Sequence, residues 1–259
     1  MKFIDVSEHN GQIDWAVAKN NIDGAIIRAG YGKGNIDKRF HENISACNTF
    51  GIPCGSYWFS YAYTNEMAVA EAKFFLEAIS KYKLELPVAY DFEYASYTNA
   101  TNKGITLSAG TVKSMAVAFL DTLEKSNYYA MLYANPDYIT KFFGDLPNRY
   151  DLWLAQWPLK KPDVSKPPRA CGIWQWGTSI IPGVGGRVDT NESYKDYKML
   201  INSKQLNRAP LTWSEKAMKW GKEKGIINDD RPSDAATRVE VVQMLKNFSE
   251  KFKMEVKDT

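Results

Sequence analysis

Two carboxylates stand two positions apart in Tyr90-Asp91-Phe92-Glu93, at the end of the apolar run Leu86-Pro87-Val88-Ala89-Tyr90. In a strand, side chains at i and i+2 point to the same face. Asp91 and Glu93 then share a face, with α-carbons about 7 Å apart. Both acids can reach one small reacting group. Hydrolysis of a glycosidic bond uses such a pair, one as proton donor and one as a second carboxylate. The bland alternative is a strand end carrying two solvated acids.

Other chemistries find fewer parts. The histidines are His9 and His41, with no H-E-x-x-H, so a zinc amidase lacks its ligand cluster. Cys47 falls in a helical pattern and Cys54 near a strand start, a poor setting for a Cys–His peptidase. With Cys171 the cysteines are odd in number and have no metal or redox spacing, so they read as buried, reduced thiols. No metal and no cofactor is implied. Gly30-Tyr31-Gly32-Lys33-Gly34 lacks the spacing of a phosphate-binding fingerprint and reads as a flexible loop.

The elements that must position the two acids follow from periodicity. Strands are expected at 3–6, 24–29, 52–60, 87–93, 128–134, 151–157, 172–177 and 187–190. Asp14 is placed to cap a short helix through Trp15 and Val17. Longer helices are expected at 37–50, 65–82 and 107–126, with Gly51 stopping the first and Pro136 starting another short one. Eight strands, with helices after the first five, predict an α/β fold. It is a TIM-like β/α barrel with a degenerate last third, or else a doubly wound open sheet.

A barrel carries its chemistry at the C-terminal ends of its strands. Asp5, Arg28, Tyr57, Phe59, Asp91, Glu93, Tyr133, Gln156, Gln175 and Asp189 stand there. Acids, amides, an arginine and aromatics on one rim are the parts of a carbohydrate cleft. Tyr57, Tyr133, Trp153 and Trp176 suit sugar stacking or core packing equally. Arg28 suits either a bidentate contact orienting an aspartate or a structural ion pair.

At 259 residues the chain has room for one large domain, or one large and one small. A net charge of +3 is too weak to imply a nucleic-acid partner. Aromatic residues reach 14%, including 8 Trp and 15 Tyr, which fits stacking on sugar faces as well as packing. The start, Met1-Lys2-Phe3-Ile4-Asp5-Val6-Ser7, has no apolar export segment, and no run reaches the length of a membrane span. The expectation is a protein made in the cytoplasm without a signal peptide and without a membrane partner.

The pattern resembles family 25 glycoside hydrolases, lysozymes of bacteria and their phages. The resemblance rests on Ile4-Asp5-Val6-Ser7, Gly11-Gln12-Ile13-Asp14-Trp15, Ile27-Arg28-Ala29, Asp37 with Phe40 and Asn43, and Gly55-Ser56-Tyr57-Trp58-Phe59. It continues through Tyr90-Asp91-Phe92-Glu93, Leu152-Trp153-Leu154-Ala155-Gln156-Trp157, Ile173-Trp174-Gln175-Trp176 and Gly186-Arg187-Val188-Asp189, in order from residue 2 to about 200. Gln156-Trp157 departs from the family pattern, where a charged residue precedes Tyr.

The resemblance implies cleavage of the β-1,4 bond between N-acetylmuramic acid and N-acetylglucosamine in bacterial peptidoglycan. Glu93 would be the general acid, Asp91 its ionised neighbour, and Asp5 and Asp189 would complete the acidic ring. Two mechanisms stay open. In one, the substrate's N-acetyl oxygen attacks the anomeric carbon; in the other, an aspartate activates water and the product inverts. A chitinase-like glycosidase would carry another aspartate where Ala89 stands. A non-enzyme alternative is a wall-binding, lectin-like barrel. Absence of an export signal favours a phage endolysin over a secreted autolysin.

The domain reading is a catalytic barrel at 1–201, a linker at 202–210 and a small α-helical module at 211–259. Trp213, Ala217 and Trp220 pattern one helix of that module, and Val239, Val242, Leu245 and Phe248 a second. Trp220, Gly225-Ile226, Pro232 and Thr237-Arg238-Val239-Glu240 resemble part of one S-layer homology motif. That resemblance implies binding of secondary cell-wall polymer. A segment this short makes a poor independent core, so homo-oligomerisation through it is also expected.

Overall fold

Alternation along the first strand sets the architecture. In β1 (Lys2–Val6), Phe3 and Asp5 face the inside of a closed sheet, and Ile4 and Val6 face the helices outside it. The structure is a computed structural model. It describes residues 1–207, apart from 145, 147 and 161, together with Trp220 and Lys224.

After β1 come α1 (Trp15–Ala18), β2 (Gly24–Tyr31), β3 (Asn35–Ile36), α2 (Phe40–Phe50) and β4 (Cys54–Phe59). Next are α3 (Asn65–Ile79), β5 (Val88–Asp91), α4 (Tyr94–Asn102), α5 (Ala109–Lys125) and β6 (Ala130–Ala134). The last third holds α6 (Pro136–Tyr138), β7 (Asp151–Ala155), β8 (Ile173–Ile180), β9 (Arg187–Ser193) and α7 (Tyr197–Ser203). Local chemistry sets several ends. Asp14 caps α1 by accepting from the Val17 N–H at 3.1 Å, and Thr64 and Ser108 cap α3 and α5 in the same way. Gly51 ends α2 in the left-handed conformation at φ 68°.

Strands pair in the order β1-β2-β4-β5-β6-β7-β8-β9, and β9 returns to β1, so the sheet closes into a barrel of eight strands. The TIM-like α/β reading holds. β1, β2, β4, β5, β6, β7 and β8 run parallel, whereas β9 is antiparallel to both neighbours. That corrects the expected eighth strand. It runs on to Ser193, and Asp189 lies near its start rather than its end. Because β9 is reversed, its start lies on the rim where the parallel strands end, and Asp189 pairs directly with Asp5.

Two further expectations change. Gly30 and Tyr31 belong to β2, which turns tightly through Gly32 and Gly34 into β3, so the glycine-rich stretch is a hairpin and not a loose loop. A Cβ on Gly30 would stand 2.2 Å from the Asn35 carbonyl and 2.6 Å from the Trp58 ring. α4 was not expected at all, and it follows directly on Glu93.

The helices cover the outside of the barrel. Phe40 of α2, Phe75 of α3 and Phe119 of α5 pack with Ile27, Trp58, Tyr90 and Leu132 in one core. Inside, Phe3, Ile26, Ala89, Met131, Trp153 and Ile173 form a second core, closed from below by Tyr197 and Ile201 of α7. The expected linker at 202–210 is therefore corrected over its first part. α7 runs to Ser203, and buried Asn207 donates to the Leu86 carbonyl at 2.7 Å and accepts from the Tyr129 N–H at 2.7 Å. The chain divides into two units, Met1–Ala209 and Pro210–Thr259. The helical module expected at 211–259 lies outside the described residues, save for Trp220 and Lys224. No helix among the described residues is long and apolar enough to cross a membrane.

Candidate active site

Two residues beyond the apolar inner layer, each strand presents its next inward side chain. Phe3 is followed by Asp5, Ile26 by Arg28, Ala89 by Asp91, Met131 by Tyr133 and Ile173 by Gln175. These polar groups lie on the layer above the packed floor. With Tyr57, Phe59, Glu93, Trp153 and Asp189 they line an open cleft of about 390 Å³.

Asp91 is the last residue of β5 and Glu93 is the N-cap of α4, with its N–H donating to Ser96 Oγ at 3.1 Å. Glu93 keeps an extended backbone at φ −125°, so the i, i+2 relation survives the end of the strand. The two carboxyl groups act on one another's protonation, and Asp91 Oδ1 is buried without a hydrogen-bond partner. Burial pushes Asp91 well above the usual carboxylate range, and the charges of Glu93 and Asp5 push the same way against the pull of Arg28. Burial also raises Glu93, with Asp189 adding to the rise and the bond to Asp91 opposing it. Both shifts run in the same direction, toward keeping a proton on the pair.

These acids stand in a family whose sequence pattern covers most of the barrel. The profile of glycosyl hydrolases family 25 matches residues 4–184. The chain belongs to that family. The autolysin LytC of Streptococcus pneumoniae, solved in complex with synthetic peptidoglycan ligand, is 31% identical over 73% of this chain, with a TM-score of 0.60. The match covers 46% of LytC, so this chain spans about half of that protein. A family 25 glycosyl hydrolase from Bacillus anthracis is 26% identical over 78% of this chain and 92% of its own, at a TM-score of 0.63. The lysozyme of Streptomyces coelicolor shares the fold at 23% identity, over 79% of this chain and 98% of its own, with a TM-score of 0.66. Among curated proteins, no sequence matches.

Opposite the acid pair, this family 25 barrel carries a second polar group. Asp5 Oδ2 accepts from Gln175 Nε2 at 3.0 Å and from Asn191 Nδ2 at 2.8 Å. Burial and the Asp189 charge still raise Asp5 to about 7. Gln175 Oε1 accepts from the Tyr133 hydroxyl at 3.1 Å and from Trp157 Nε1 at 3.0 Å, which fixes the amide orientation. Tyr57 and Tyr133 meet Trp153 edge to face, and burial holds both phenols well above their usual range, so they remain donors.

Several expected residues take other places. Trp176 is packed against the outer core and does not line the cleft, because alternation along β8 turns Gln175 inward and its neighbours outward. Gln156 is absent from the cleft wall too; its carbonyl accepts from Trp174 Nε1 at 2.8 Å. The next residue, Trp157, is 55% exposed and reaches Gln175 instead. Trp153 is 1% exposed, so it forms the floor rather than an open stacking face. Arg28 binds two different carboxylates, Asp37 at 2.8 Å and Glu8 at 3.2 Å, in a structural pair.

Ser7, His9, Asn10 and Arg187 line the cleft without having been singled out for it from sequence, and Asn191 lies buried behind it. Asn191 also accepts from Trp153 Nε1 at 2.7 Å, tying the floor to Asp5. Asn191→Leu strands the indole N–H and takes a donor from Asp5, so a loss of about 2 kcal/mol is expected in urea unfolding. A variant as stable as the parent would show that this network carries no weight.

Proposed function

We propose that this glycosyl hydrolase is an N-acetylmuramidase that cleaves the β-1,4 bond between N-acetylmuramic acid and N-acetylglucosamine in bacterial peptidoglycan. The observation that carries the reading is the Asp91–Glu93 pair lining an open cleft in a family 25 barrel. Glu93 gives its proton to the glycosidic oxygen as the bond breaks. Asp91 beside it stabilises the positive charge that develops on the sugar.

The placement of both acids on one face of the same extended segment favours substrate assistance. Two-carboxylate mechanisms place their acids on the two sides of the scissile bond. The substrate's own N-acetyl oxygen then attacks the anomeric carbon, and water opens the resulting ring with retention. Asp5 and Asp189 are paired on neighbouring strands, and both line the cleft with Tyr133.

Mass spectrometry of fragments released from purified walls tests this, with NMR of the first-formed anomer. Reducing ends on muramic acid in the β form are expected. Glucosamine ends or free amines would remove the bond assignment, and an initial α-anomer would remove substrate assistance.

We also propose a phage endolysin, acting from inside its host, as the biological setting. The 211–259 segment is proposed as a helical module for secondary wall polymer or self-association.

A further inference from the structure

The cleft is lined by Asp5, Asp91, Glu93 and Asp189, yet the wall glycan it is proposed to take is itself acidic. A like-charged ligand needs a cation. Arg28 is already engaged by Asp37 and Glu8. Arg187 is the remaining arginine on the wall. It stands two residues before Asp189 on β9, so the strand repeat turns both to the same side.

Its guanidinium is held in place by a neutral residue. Nε donates to Thr178 Oγ1 at 2.6 Å and Nη2 to the Thr178 carbonyl at 2.5 Å. Guanidinium has five N–H donors, so these two bonds fix its plane and leave its outer fork free. Among the described residues no carboxylate pairs with Arg187. A pre-oriented planar fork on an open wall suits bidentate capture of a carboxylate.

Building on the muramidase reading, we propose that Arg187 is a specificity residue that binds a carboxylate on the lactyl branch of the muramyl sugar. Two sources share that chemistry. One is the lactyl carboxylate itself, free in peptide-stripped glycan. The other is a carboxylate of the attached stem peptide. Neutral glycans of glucosamine alone offer neither.

Cleavage of four substrates tests the proposal: peptide-stripped glycan strands, intact peptidoglycan, and each of these with its carboxyls converted to methylamides. The parent protein is expected to prefer a charged substrate over its amidated form by about tenfold in kcat/KM, the scale of one charge-assisted contact. In Arg187→Gln that ratio is expected to fall close to one, and Arg187→Lys, which keeps the charge but not the fork, to retain part of it. Thermal melts of both variants establish that each is folded. A preference on stripped strands identifies the lactyl carboxylate, and one confined to intact peptidoglycan identifies the stem peptide. An unchanged ratio in a folded Arg187→Gln overturns the proposal. A parent protein that cleaves none of the muramyl substrates overturns the underlying activity instead.

Discussion

Glu93→Gln is expected to lower the rate of glycan cleavage by about 10²–10⁴-fold, the usual contribution of a positioned general acid. The amide keeps the size of the side chain but has no acidic proton to give. Asp91→Asn is expected to fall in the same range, since it removes both the carboxyl coupled to Glu93 and the charge that stabilises the sugar. The double variant should be little worse than either single one, because groups that act as a unit do not contribute additively. Stability moves in the other direction. Burial works against the charged form of Asp91, so Asp91→Asn is expected to melt at or above the parent temperature. Turbidity loss of purified walls and release of reducing ends read the rates. Either single variant within tenfold of the parent would sink the assignment of the pair. The raised carboxyls also set the pH response. Activity needs one proton on the pair, so it holds through the mildly acidic range and is lost on the alkaline side as that proton leaves.

The acid pair was legible because it sits where an apolar, β-prone run meets a polar stretch, and an extended backbone preserves the two-residue repeat through Glu93. The barrel was legible for a similar reason: each early strand ends near a capped amphipathic helix. Asp189 lies on the same rim whether its strand is parallel and ends there, as the sequence predicts, or antiparallel and starts there, as it does. Strand direction is a property of pairing, which no local pattern carries. Helix α4 was missed because Tyr94-Ala-Ser-Tyr-Thr-Asn-Ala-Thr-Asn is polar, rich in weak helix formers, and buries only Ser96 and Ala100. Of the two roles open to Trp176, alternation selects packing: once Gln175 faces inward, its neighbour cannot. Arg187 was visible as a residue but not as an unpaired one, since pairing depends on what stands across the sheet.

Glu71 is a carboxylate on the core-facing side of α3, only 2% exposed. One oxygen accepts from the Tyr61 N–H at 3.1 Å, in the turn after β4 whose Ser60 N–H donates to the Asp91 carbonyl at 2.7 Å. The other oxygen is buried without a partner. Burial raises Glu71 from 4.5 to about 7, against the opposing effects of Ser60 and the Tyr61 N–H. The native state then keeps a proton that the unfolded chain releases. Between these two values the folded form binds more protons, so unfolding free energy falls as pH rises, and the contribution is gone above about 7. The shift corresponds to about 3 kcal/mol. Glu71→Gln removes the titration and keeps the acceptor for Tyr61. Urea midpoints at pH values near ~4 and ~8 should therefore diverge, bracketing the two pKa values. Parent and variant are expected to agree at the lower pH, and the variant to be more stable by about 3 kcal/mol at the higher. Other titrating groups cancel in that difference, so an equal gap at both pH values would mean that Glu71 is ionised in the native protein. The turn that grips Asp91 would then rest on a buried charge, and the proton balance behind the acid pair would have to be drawn again.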